Sequence, residues 1–347
     1  MTPTKILLIR RDNIGDLVCT TPMFRALRER FPAASIEAYV NSYNLPVLEG
    51  NPDLTAVHAY TKAKHRPAGT AAWPIYWQRI RQLLALRRHA FDDVIIAEPA
   101  YSPRLISLAR FLAPRRIIGF AADDGNAAGL DVAIPRKSGR PLHESEDVFR
   151  LLGEYGTGVS PPPPRVFARN KPGARESTAP VIGMHISARK PSQRWPAERF
   201  VDLARQLCSD NAFQVRLFWS PGDEANALHP GDDDKAGAIL AGLRDLRVQG
   251  APTPDLRSLI DGLQECDYVV CADGGAMHLA AGLGKPIVCL FGRSDAARWY
   301  PWGVDHELLQ KTGHDVADIP VDEVVAAFNR LESRIAGRSK IVAEKQK

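Results

Sequence analysis

The chain has 347 residues, 45% of them apolar and 24% charged, which is an ordinary composition for a soluble globular protein of two domains. No apolar run approaches the length of a membrane span, and the chain enters a predicted strand at once. This excludes the pattern of a secretory signal and favours a cytoplasmic location. Five cysteines without C-x-x-C spacing indicate buried reduced thiols rather than disulfides or a metal site.

Positive charge is concentrated in the first part of the chain. Residues 1–150 hold 21 Lys and Arg against 15 Asp and Glu, a net charge of +6, whereas the remainder has a net charge of −1. The first half is therefore expected to contact an anionic partner. A phosphorylated lipid or sugar fits this charge as well as nucleic acid does. Because zinc-finger spacing, RNP-like aromatic motifs and basic zippers are missing from the sequence, nucleic acid is not an expected partner.

The first predicted elements are a buried strand, Lys5–Arg10, and a helix from about Leu17 to Arg30, joined by a polar turn. Asp16 stands where this helix begins, and it has two interpretations. It is either the N-cap of the helix or a carboxylate exposed at the carboxyl edge of the first strand, where α/β proteins place their chemistry.

Strands and helices alternate through the rest of the first half. The helix around Pro74–Arg88 carries several arginines beside aromatic residues. We favour a solvated face on a packed helix over a basic, aromatic surface for anionic lipid headgroups. The other predicted elements are Ser35–Val40, Leu54–Tyr60, Phe91–Ala97, Arg104–Leu112, Arg116–Phe120, Asp131–Pro135 and a helix from about His143 to Tyr155.

A proline-rich break separates the two halves. Four consecutive prolines lie within Gly156–Pro164, and the chain stays polar to Pro180, which predicts an interdomain linker at residues 161–179. The strand–helix alternation then resumes. It predicts an α/β fold of two parallel-sheet domains facing each other across a cleft. The predicted parts are residues 1–160, residues 180–320, and a carboxyl-terminal helix (about Val321–Ile335) with a charged tail in residues 321–347.

The most informative stretch, Ala272–Gly282, follows a buried strand and opens a short helix. Its adjacent glycines, Gly274 and Gly275, allow backbone amides to approach an anion, and the helix N-terminus favours negative charge. Asp273 can cap the helix or accept a hydroxyl, and His278 lies in the first turn. The pattern predicts a phosphate or nucleotide pocket, with a plain βα turn as the alternative.

A second turn on the same predicted edge is rich in cations. After the strand Val181–Ile186 come a hydroxyl, Ser187, and three cations, Arg189, Lys190 and Arg194, before a helix that starts near Pro196. Two neighbouring turns of this kind suit the two phosphates of a diphosphate.

Several common motifs are missing from the sequence. There is no G-x-G-x-x-G after the first strand, no P-loop and no G-x-S-x-G, which disfavours a dinucleotide dehydrogenase, a P-loop ATPase and an α/β-hydrolase. Asp232–Asp234 formally offers the D-x-D spacing of metal-dependent sugar transferases. Because it lies in a polar, glycine-flanked loop, we predict a solvated turn there.

Three motifs in register carry a family resemblance across almost the whole chain: Ile14–Asp16, Arg194–Phe200, and Asp273–Ala281 followed by Pro286 and Leu290–Gly292. Together they resemble glycosyltransferase family 9, which contains the bacterial lipopolysaccharide heptosyltransferases. The resemblance implies two Rossmann-like domains in the GT-B arrangement without a required D-x-D metal. It also implies inverting transfer of a heptose from ADP-heptose to a lipid A–core acceptor.

The resemblance also implies roles for residues. Asp16 matches the family's catalytic aspartate and would be the general base, since inversion needs a base opposite the leaving group. Asp273 and His278 match the family's donor-binding aspartate and histidine. The donor diphosphate is expected at Ser187, Arg189, Lys190, Arg194, Gly274 and Gly275, and the acceptor at Asn13, Lys62, Lys64 and Arg66.

The expected partners are a nucleotide sugar, a phosphorylated lipid A–core acceptor and the inner face of the bacterial inner membrane, visited peripherally. No cofactor is required, and assistance of the diphosphate by Mg²⁺ stays open. Gln193 stands where the family often has Lys, and Gly274 where it often has Ser or Thr, which leaves the donor open. The alternatives are a transferase with another nucleotide sugar or acceptor, a non-catalytic nucleotide-sugar binding protein, and a GT-B-shaped epimerase.

Overall fold

The structure, a computed structural model, describes residues 3–61, 73–158, 160–169, 179–209, 212–224 and 231–345. The chain divides into two compact units, Met1–Phe167 and Ala168–Lys347. Each unit is built around one six-stranded sheet in which neighbouring strands are parallel. The predicted fold class, two Rossmann-like parallel-sheet units, is confirmed.

The first unit has the strand order 3-2-1-4-5-6, numbered in chain order. Its central strands β1 and β4 are largely apolar and buried, as is typical of a parallel sheet whose faces are both covered by helices. Its elements are β1 (Lys5–Ile9), α1 (Ile14–Arg30), β2 (Ser35–Asn41), a 3-10 helix (Ser42–Val47), β3 (Ala56–Tyr60), α2 (Trp73–Arg87), β4 (Asp93–Ile96), α3 (Pro103–Leu112), β5 (Arg116–Phe120), β6 (Val132–Ile134), α4 (Glu144–Phe149) and a 3-10 helix (Arg150–Tyr155).

The second unit repeats this topology. Its elements are β7 (Val181–His185), a 3-10 helix (Pro191–Gln193), α5 (Ala197–Leu207), β8 (Gln214–Trp219), α6 (Asp233–Gly242), β9 (Val248–Pro252), α7 (Leu256–Gln264), β10 (Tyr268–Ala272), α8 (Gly275–Gly282), β11 (Ile287–Phe291), α9 (Ala296–Trp299), β12 (His306–Gln310), a 3-10 helix (Val316–Asp318) and α10 (Val321–Lys345). The strand order is β12-β11-β10-β7-β8-β9, so β7 lies between β8 and β10 just as β1 lies between β2 and β4.

This shared order places one topological switch point in each sheet. The order reverses between β1 and β4 in the first unit and between β7 and β10 in the second. In open α/β sheets, ligands bind beyond the carboxyl ends of the strands at such points. Asp16 follows β1 and Asp273 follows β10, so both lie at a switch point.

Trp195 anchors the segment that precedes α5 in the core of the second unit. Its buried ring meets that of Phe200 edge-on, with centroids 4.9 Å apart. Its indole nitrogen donates a 3.0 Å hydrogen bond to the carbonyl of Ile319, and Arg199 donates to the same oxygen. This arrangement ties the end of the cation-rich turn to the residues just before α10.

The structure differs from the predicted elements in a few places. Helix α1 begins at Ile14 rather than Leu17, and α10 continues to Lys345, beyond the predicted end at Ile335. The pattern analysis did not find α6, β9 or β12, because the two strands lie at sheet edges and lack continuous apolar runs. All five cysteines are buried thiols, as predicted. Among the described residues, no helix has both the length and the apolarity needed to cross a bilayer.

Candidate functional site

The carboxylate of Asp16 lies just beyond β1, in the first turn of α1. Its Oδ1 accepts a 2.8 Å hydrogen bond from Nη2 of Arg10. Its Oδ2 accepts bonds from the backbone and side-chain nitrogens of Asn13 at 3.1 and 3.0 Å. The side chain is 11% exposed. Asp16 is therefore oriented from two sides and still reaches the surface at the ligand-binding edge of the sheet.

The structure corrects the interpretation of Asp16 as a helix N-cap. Because α1 begins at Ile14, the N-cap is Asn13, and Asp16 is the third helical residue. An acidic side chain at this position accepts a hydrogen bond from the N-cap backbone, as in a capping box. Asp16 therefore both stabilises the start of α1 and presents a carboxylate at the edge of the sheet.

Arg10 lies at the centre of the polar cluster behind Asp16, and it is completely buried. Its Nη2 also donates to Oε1 of Glu144 at 2.8 Å, and its Nε lies 3.2 Å from Oδ2 of Asp12. Its Nη1 donates to the carbonyl of Ala97 at the end of β4. A guanidinium with five donors in one plane is suited to fix several acceptors at once. The sequence did not indicate that Arg10 organises this cluster, because Arg10 was interpreted as the last residue of the first strand.

The cluster has more negative than positive groups. Burial alone would lower the pKa of Arg10, but Glu144, Asp16 and Asp12 outweigh it and raise the pKa. Burial raises the pKa of Asp12 to about 6, against the opposing effect of Arg10. With one cation among three carboxylates, this edge of the first sheet attracts protons and cationic groups.

Of the residues predicted to bind the acceptor, the structure describes only Asn13. Its side chain is exposed and donates to Asp16, so it belongs to the same cluster. Lys62, Lys64 and Arg66 lie outside the described residues.

In the turn after β7 of the second unit, Ser187 is fixed by a hydrogen bond, whereas the cations that follow it are exposed. The hydroxyl of Ser187 accepts a 2.9 Å hydrogen bond from the backbone nitrogen of Ser220, beyond β8. Arg189 and Lys190 are exposed. Two cations are therefore available to a ligand at the carboxyl edge of the second sheet.

Asp273 brings together the ends of three strands. It is buried, and its Oδ2 accepts a 2.7 Å hydrogen bond from Nε2 of Gln193, which also lies 3.3 Å from Oγ of Ser294. Burial raises the pKa of Asp273, against the lowering effects of Ser294, Lys190 and Gln193. Segments that follow β7, β10 and β11 thus converge on one carboxylate.

The amino terminus of α8 faces open space. The helix begins at Gly275 with Gly274 as its N-cap, and a Cβ placed on Gly274 would meet no described atom within 4 Å. This leaves room for an anion in front of the first-turn amides. His278 is buried in the same helix, and its ring meets that of Trp299 edge-on at 5.9 Å.

The prediction of a solvated turn at Asp232–Asp234 is only partly correct, because Asp233 and Asp234 are exposed but lie in a helix, and Asp232 is not solvated. Asp232 is buried and its Oδ1 accepts a hydrogen bond from Nη2 of Arg194, while Asp233 begins α6 and accepts a 2.7 Å bond from the indole of Trp219. The polar composition favoured solvent, but Asp232 and Asp233 form hydrogen bonds with residues at the end of β8 and just after it. Arg194, predicted to bind phosphate, is therefore already paired with a carboxylate.

Lys235 is a further cation that pattern analysis missed, because α6 was not predicted. Its Nζ donates to the carbonyl of Ile186 at 3.1 Å and lies 5.1 Å from the ring centroid of Phe200. Burial lowers its pKa to about 8, although Asp232 acts in the opposite direction. The second unit thus has a partly buried ammonium next to the cation-rich turn.

Gly292, in the loop after β11, explains how Gln193 is held. A Cβ at Gly292 would lie 2.2 Å from the carbonyl oxygen of Ser192, closer than any side chain can approach. Only glycine lets this loop contact the 3-10 helix Pro191–Gln193 so closely. The close contact fixes the backbone from which Gln193 reaches Asp273.

Two Rossmann-like units, one with an oriented carboxylate and the other with amides and cations at its switch point, match the architecture of two-unit α/β glycosyltransferases. The chain belongs to glycosyltransferase family 9 (heptosyltransferase), whose sequence profile matches residues 80–317. The resemblance seen in the motifs is confirmed, and the protein is a transferase enzyme.

Known relatives extend over most of the chain. Lipopolysaccharide heptosyltransferase 2 of Escherichia coli is 26% identical over 305 residues, which are 84% of this chain and 83% of that protein. The solved structure of E. coli ADP-heptose LPS heptosyltransferase II has a TM-score of 0.75 at 21% identity, covering 96% of this chain and 99% of that one. E. coli heptosyltransferase WaaC, solved with ADP, has a TM-score of 0.73 at 16% identity, covering 94% and 99%.

Proposed function

We propose that this protein is an inverting heptosyltransferase that moves a heptose from ADP-heptose to a lipid A–core acceptor of lipopolysaccharide. The proposal is supported by membership of family 9, by relatives that are named lipopolysaccharide heptosyltransferases, and by a solved relative that holds ADP. The acceptor is assigned to residues 1–160 and the donor to residues 180–320, with residues 161–179 as the linker. Assistance of the diphosphate by Mg²⁺ is a subsidiary proposal.

The observation that carries the proposal is the orientation of Asp16 at the switch point of the first sheet. In the proposed step, Asp16 takes the proton from an acceptor hydroxyl, whose oxygen forms a bond to the anomeric carbon of the heptose. The bond from that carbon to the diphosphate oxygen breaks, and ADP leaves with the bonding electrons. Arg10 and Asn13 hold the carboxylate so that one direction of approach stays open to the hydroxyl.

The departing ADP gathers negative charge, which groups already in place can stabilise. The proposal assigns this task to the amides of Gly274 and Gly275 and to nearby cations. Asp273 and His278 bind the nucleotide sugar. The cations and hydroxyl of the donor site are Ser187, Arg189, Lys190, Arg194 and Lys235.

The central test is the substitution Asp16→Asn, which preserves shape but removes the base. We expect loss of turnover by at least about 100-fold, with ADP affinity unchanged, because the donor binds the other unit. Asp124→Asn, in an exposed turn of the same unit, is the matched control. Turnover of Asp16→Asn close to that of the parent would exclude Asp16 as the base.

The donor is tested by calorimetric titration with ADP, UDP and GDP, each with and without Mg²⁺. Preferential binding of ADP supports heptosyl transfer. Preference for UDP or GDP would indicate another nucleotide sugar. Conversion of the sugar nucleotide without acceptor would indicate an epimerase, and tight binding without turnover would indicate a binding protein that has lost its chemistry.

An exposed stripe on α2 supports a peripheral membrane location. Trp77, Ile80 and Leu84 recur at helical spacing and are 50%, 45% and 46% exposed. Arg81 and Arg88 are exposed on the same side. An apolar stripe flanked by cations fits an anionic bilayer surface, so we assign this face to contact with the inner face of the bacterial inner membrane.

The membrane assignment is tested by flotation with vesicles of anionic phospholipid and, in parallel, of neutral phospholipid. We expect binding only to the anionic vesicles, and loss of at least about tenfold in the double variant Trp77→Ala, Leu84→Ala. Tyr43→Ala removes an equally exposed aromatic ring from another element and should change nothing. Equal binding by both variants would move the membrane contact away from α2.

A further inference from the structure

Two histidines and one glutamate of the first unit are far apart in the sequence but lie close together in the fold. Glu37 lies in β2, His58 in the neighbouring edge strand β3, and His89 just after α2. Nε2 of His58 lies 2.6 Å from Oε2 of Glu37, and Nδ1 of His89 lies 3.1 Å from the same oxygen. One ligand atom from each residue falls within 4.8 Å of the other two.

These three groups match the preferences of a borderline divalent transition metal. Imidazole nitrogen and carboxylate oxygen bind Zn²⁺ at about 2.0–2.2 Å, and two histidines with one glutamate form an established ligand set that leaves a position for water. Atoms at that distance from one ion lie about 3.3 Å apart in tetrahedral geometry. The spacings of 2.6 and 3.1 Å to Oε2 of Glu37 are shorter than this separation, so the imidazole rings would move outward from the carboxylate to admit an ion.

The surroundings orient the ligands and leave a path for an ion. The glutamate side chain is 5% exposed, whereas those of His58 and His89 are 20% and 38% exposed, so the site is open on the histidine side. The hydroxyl of Ser35 donates a 2.9 Å hydrogen bond to Oε1 of Glu37 and fixes the carboxylate. The ring of His89 stacks on Phe91 at 5.5 Å. Outer contacts of this kind are typical supports of metal ligands.

The cluster is separate from the Asp16 site. Glu37 lies four residues before Asn41 in β2, about 13 Å along the strand, and Asn41 is the residue whose side chain contacts the backbone of Arg11 and Asp12. An ion here would be too distant to touch the reacting groups. It would link the edge strand β3 and the end of α2 to β2.

We propose that Glu37, His58 and His89 form a binding site for a divalent transition-metal cation of the Zn²⁺ type, with a structural role in the first unit. The ion adds a crosslink between β2, β3 and the segment after α2, where the strands are already paired and the rings of His58 and His89 meet edge-on at 5.6 Å. Because imidazole rings are attracted to Glu37 even without metal, the experiment must separate a coordination site from a hydrogen-bonded trio.

The test uses the full-length protein after treatment with a chelator, titrated with Zn²⁺ by calorimetry and with Co²⁺ by visible absorption. We expect one equivalent of each ion, a tetrahedral Co²⁺ spectrum, and a thermal midpoint raised by Zn²⁺. His58→Gln and His89→Gln should each lower Zn²⁺ affinity about 100-fold. Ser35→Ala should lower it about tenfold by releasing the carboxylate.

His314→Asn is the matched control, because this exposed histidine has φ +53°, a conformation that asparagine tolerates. It should leave the metal equivalent intact. His89 is the most exposed of the three ligands, so its variant is expected to fold, which circular dichroism checks. Absence of stoichiometric binding, or equal affinity in the His58, His89 and His314 variants, would overturn the site and leave a hydrogen-bonded trio.

Discussion

The buried guanidinium of Arg10 compensates the negative charge of three carboxylates, those of Asp12, Asp16 and Glu144. Removing one partner of a buried ion pair leaves the remaining charges buried without compensation. This lowers stability more than replacing the whole pair with apolar groups does. We therefore expect Arg10→Met to destabilise the protein by about 3–5 kcal/mol, measured by chemical denaturation. Arg115→Met is the control, since this arginine is 65% exposed in its ion pair with Asp92 and should cost less than about 1 kcal/mol. Similar losses in both variants would contradict the role of Arg10.

Asp12 predicts a specific dependence of stability on pH. Its folded-state pKa of about 6 is above the ordinary value of 3.8, so the folded protein holds this proton more tightly than the unfolded chain. The resulting stability is fully present below pH 4 and is lost as the pH rises through about 6. The stability of Asp12→Asn relative to the parent should therefore increase by about 2–3 kcal/mol as the pH rises from 4 to 7. A pH-independent difference in unfolding free energy between the two proteins would contradict this assignment.

At the scale of residues, the sequence predicted where candidate site residues lie relative to strands and helices, but it did not predict which side chains contact one another. Asp16, Asp273 and His278 were found because they follow buried strands or open a helix, which are local signals. The buried cluster behind Asp16 was not found, because Glu144, which accepts a hydrogen bond from Arg10, comes from a helix more than a hundred residues away and nothing local marks it. The trio of Glu37, His58 and His89 was missed for the same reason.

Among the elements, the 3-10 helix Pro191–Gln193 and the loop after β11 depend on each other. Gly292→Ala would push its Cβ into the carbonyl of Ser192 and displace the segment that carries Gln193. We expect the calorimetric dissociation constant of ADP to rise about tenfold and stability to fall by about 1–3 kcal/mol. Gly237→Ala in α6 is the control, since its Cβ meets no described atom within 4 Å. Unchanged ADP affinity in Gly292→Ala would show that this contact does not shape the donor site.

The elements that were predicted correctly are those with strong periodicity. The stripe Leu256, Leu259, Ile260 and Leu263 became the buried face of α7. Strand β9, by contrast, reads Val-Gln-Gly-Ala-Pro and is half exposed at a sheet edge, so its backbone pairing with β8 has no apolar signature. Helix α6 begins in an acidic, glycine-flanked stretch that was interpreted as a turn, although aspartates at these positions are also typical of a helix start.

At the scale of the molecule, each unit has a hydrophobic core of its own. We therefore expect two calorimetric unfolding transitions, and ADP at about 100 times its dissociation constant should stabilise one of them by about 2.7 kcal/mol. The transition that ADP stabilises is expected to be that of the second unit, to which the donor site is assigned. Arg10→Met should lower only the other transition. A single transition that moves with both changes would show that the units unfold together.

The whole-molecule architecture was the most predictable feature. Alternation of buried strands with helices on either side of Gly156–Pro164 already indicated two parallel sheets, and the repeated strand order confirms them. The pairing of polar groups at each switch point depends on side chains from distant segments. A local sequence pattern does not show such contacts.

The bond between Trp195 and the carbonyl of Ile319 has a practical consequence for anyone who shortens or tags this enzyme. Phe328 and Leu331 of α10 are fully buried in the core that also contains Trp195. A chain that ends at Ile319 would therefore lose part of the core that supports Trp195 and the segment before α5. A shortened or tagged version of the protein should keep the chain at least through Ile335 and carry any affinity tag beyond that point.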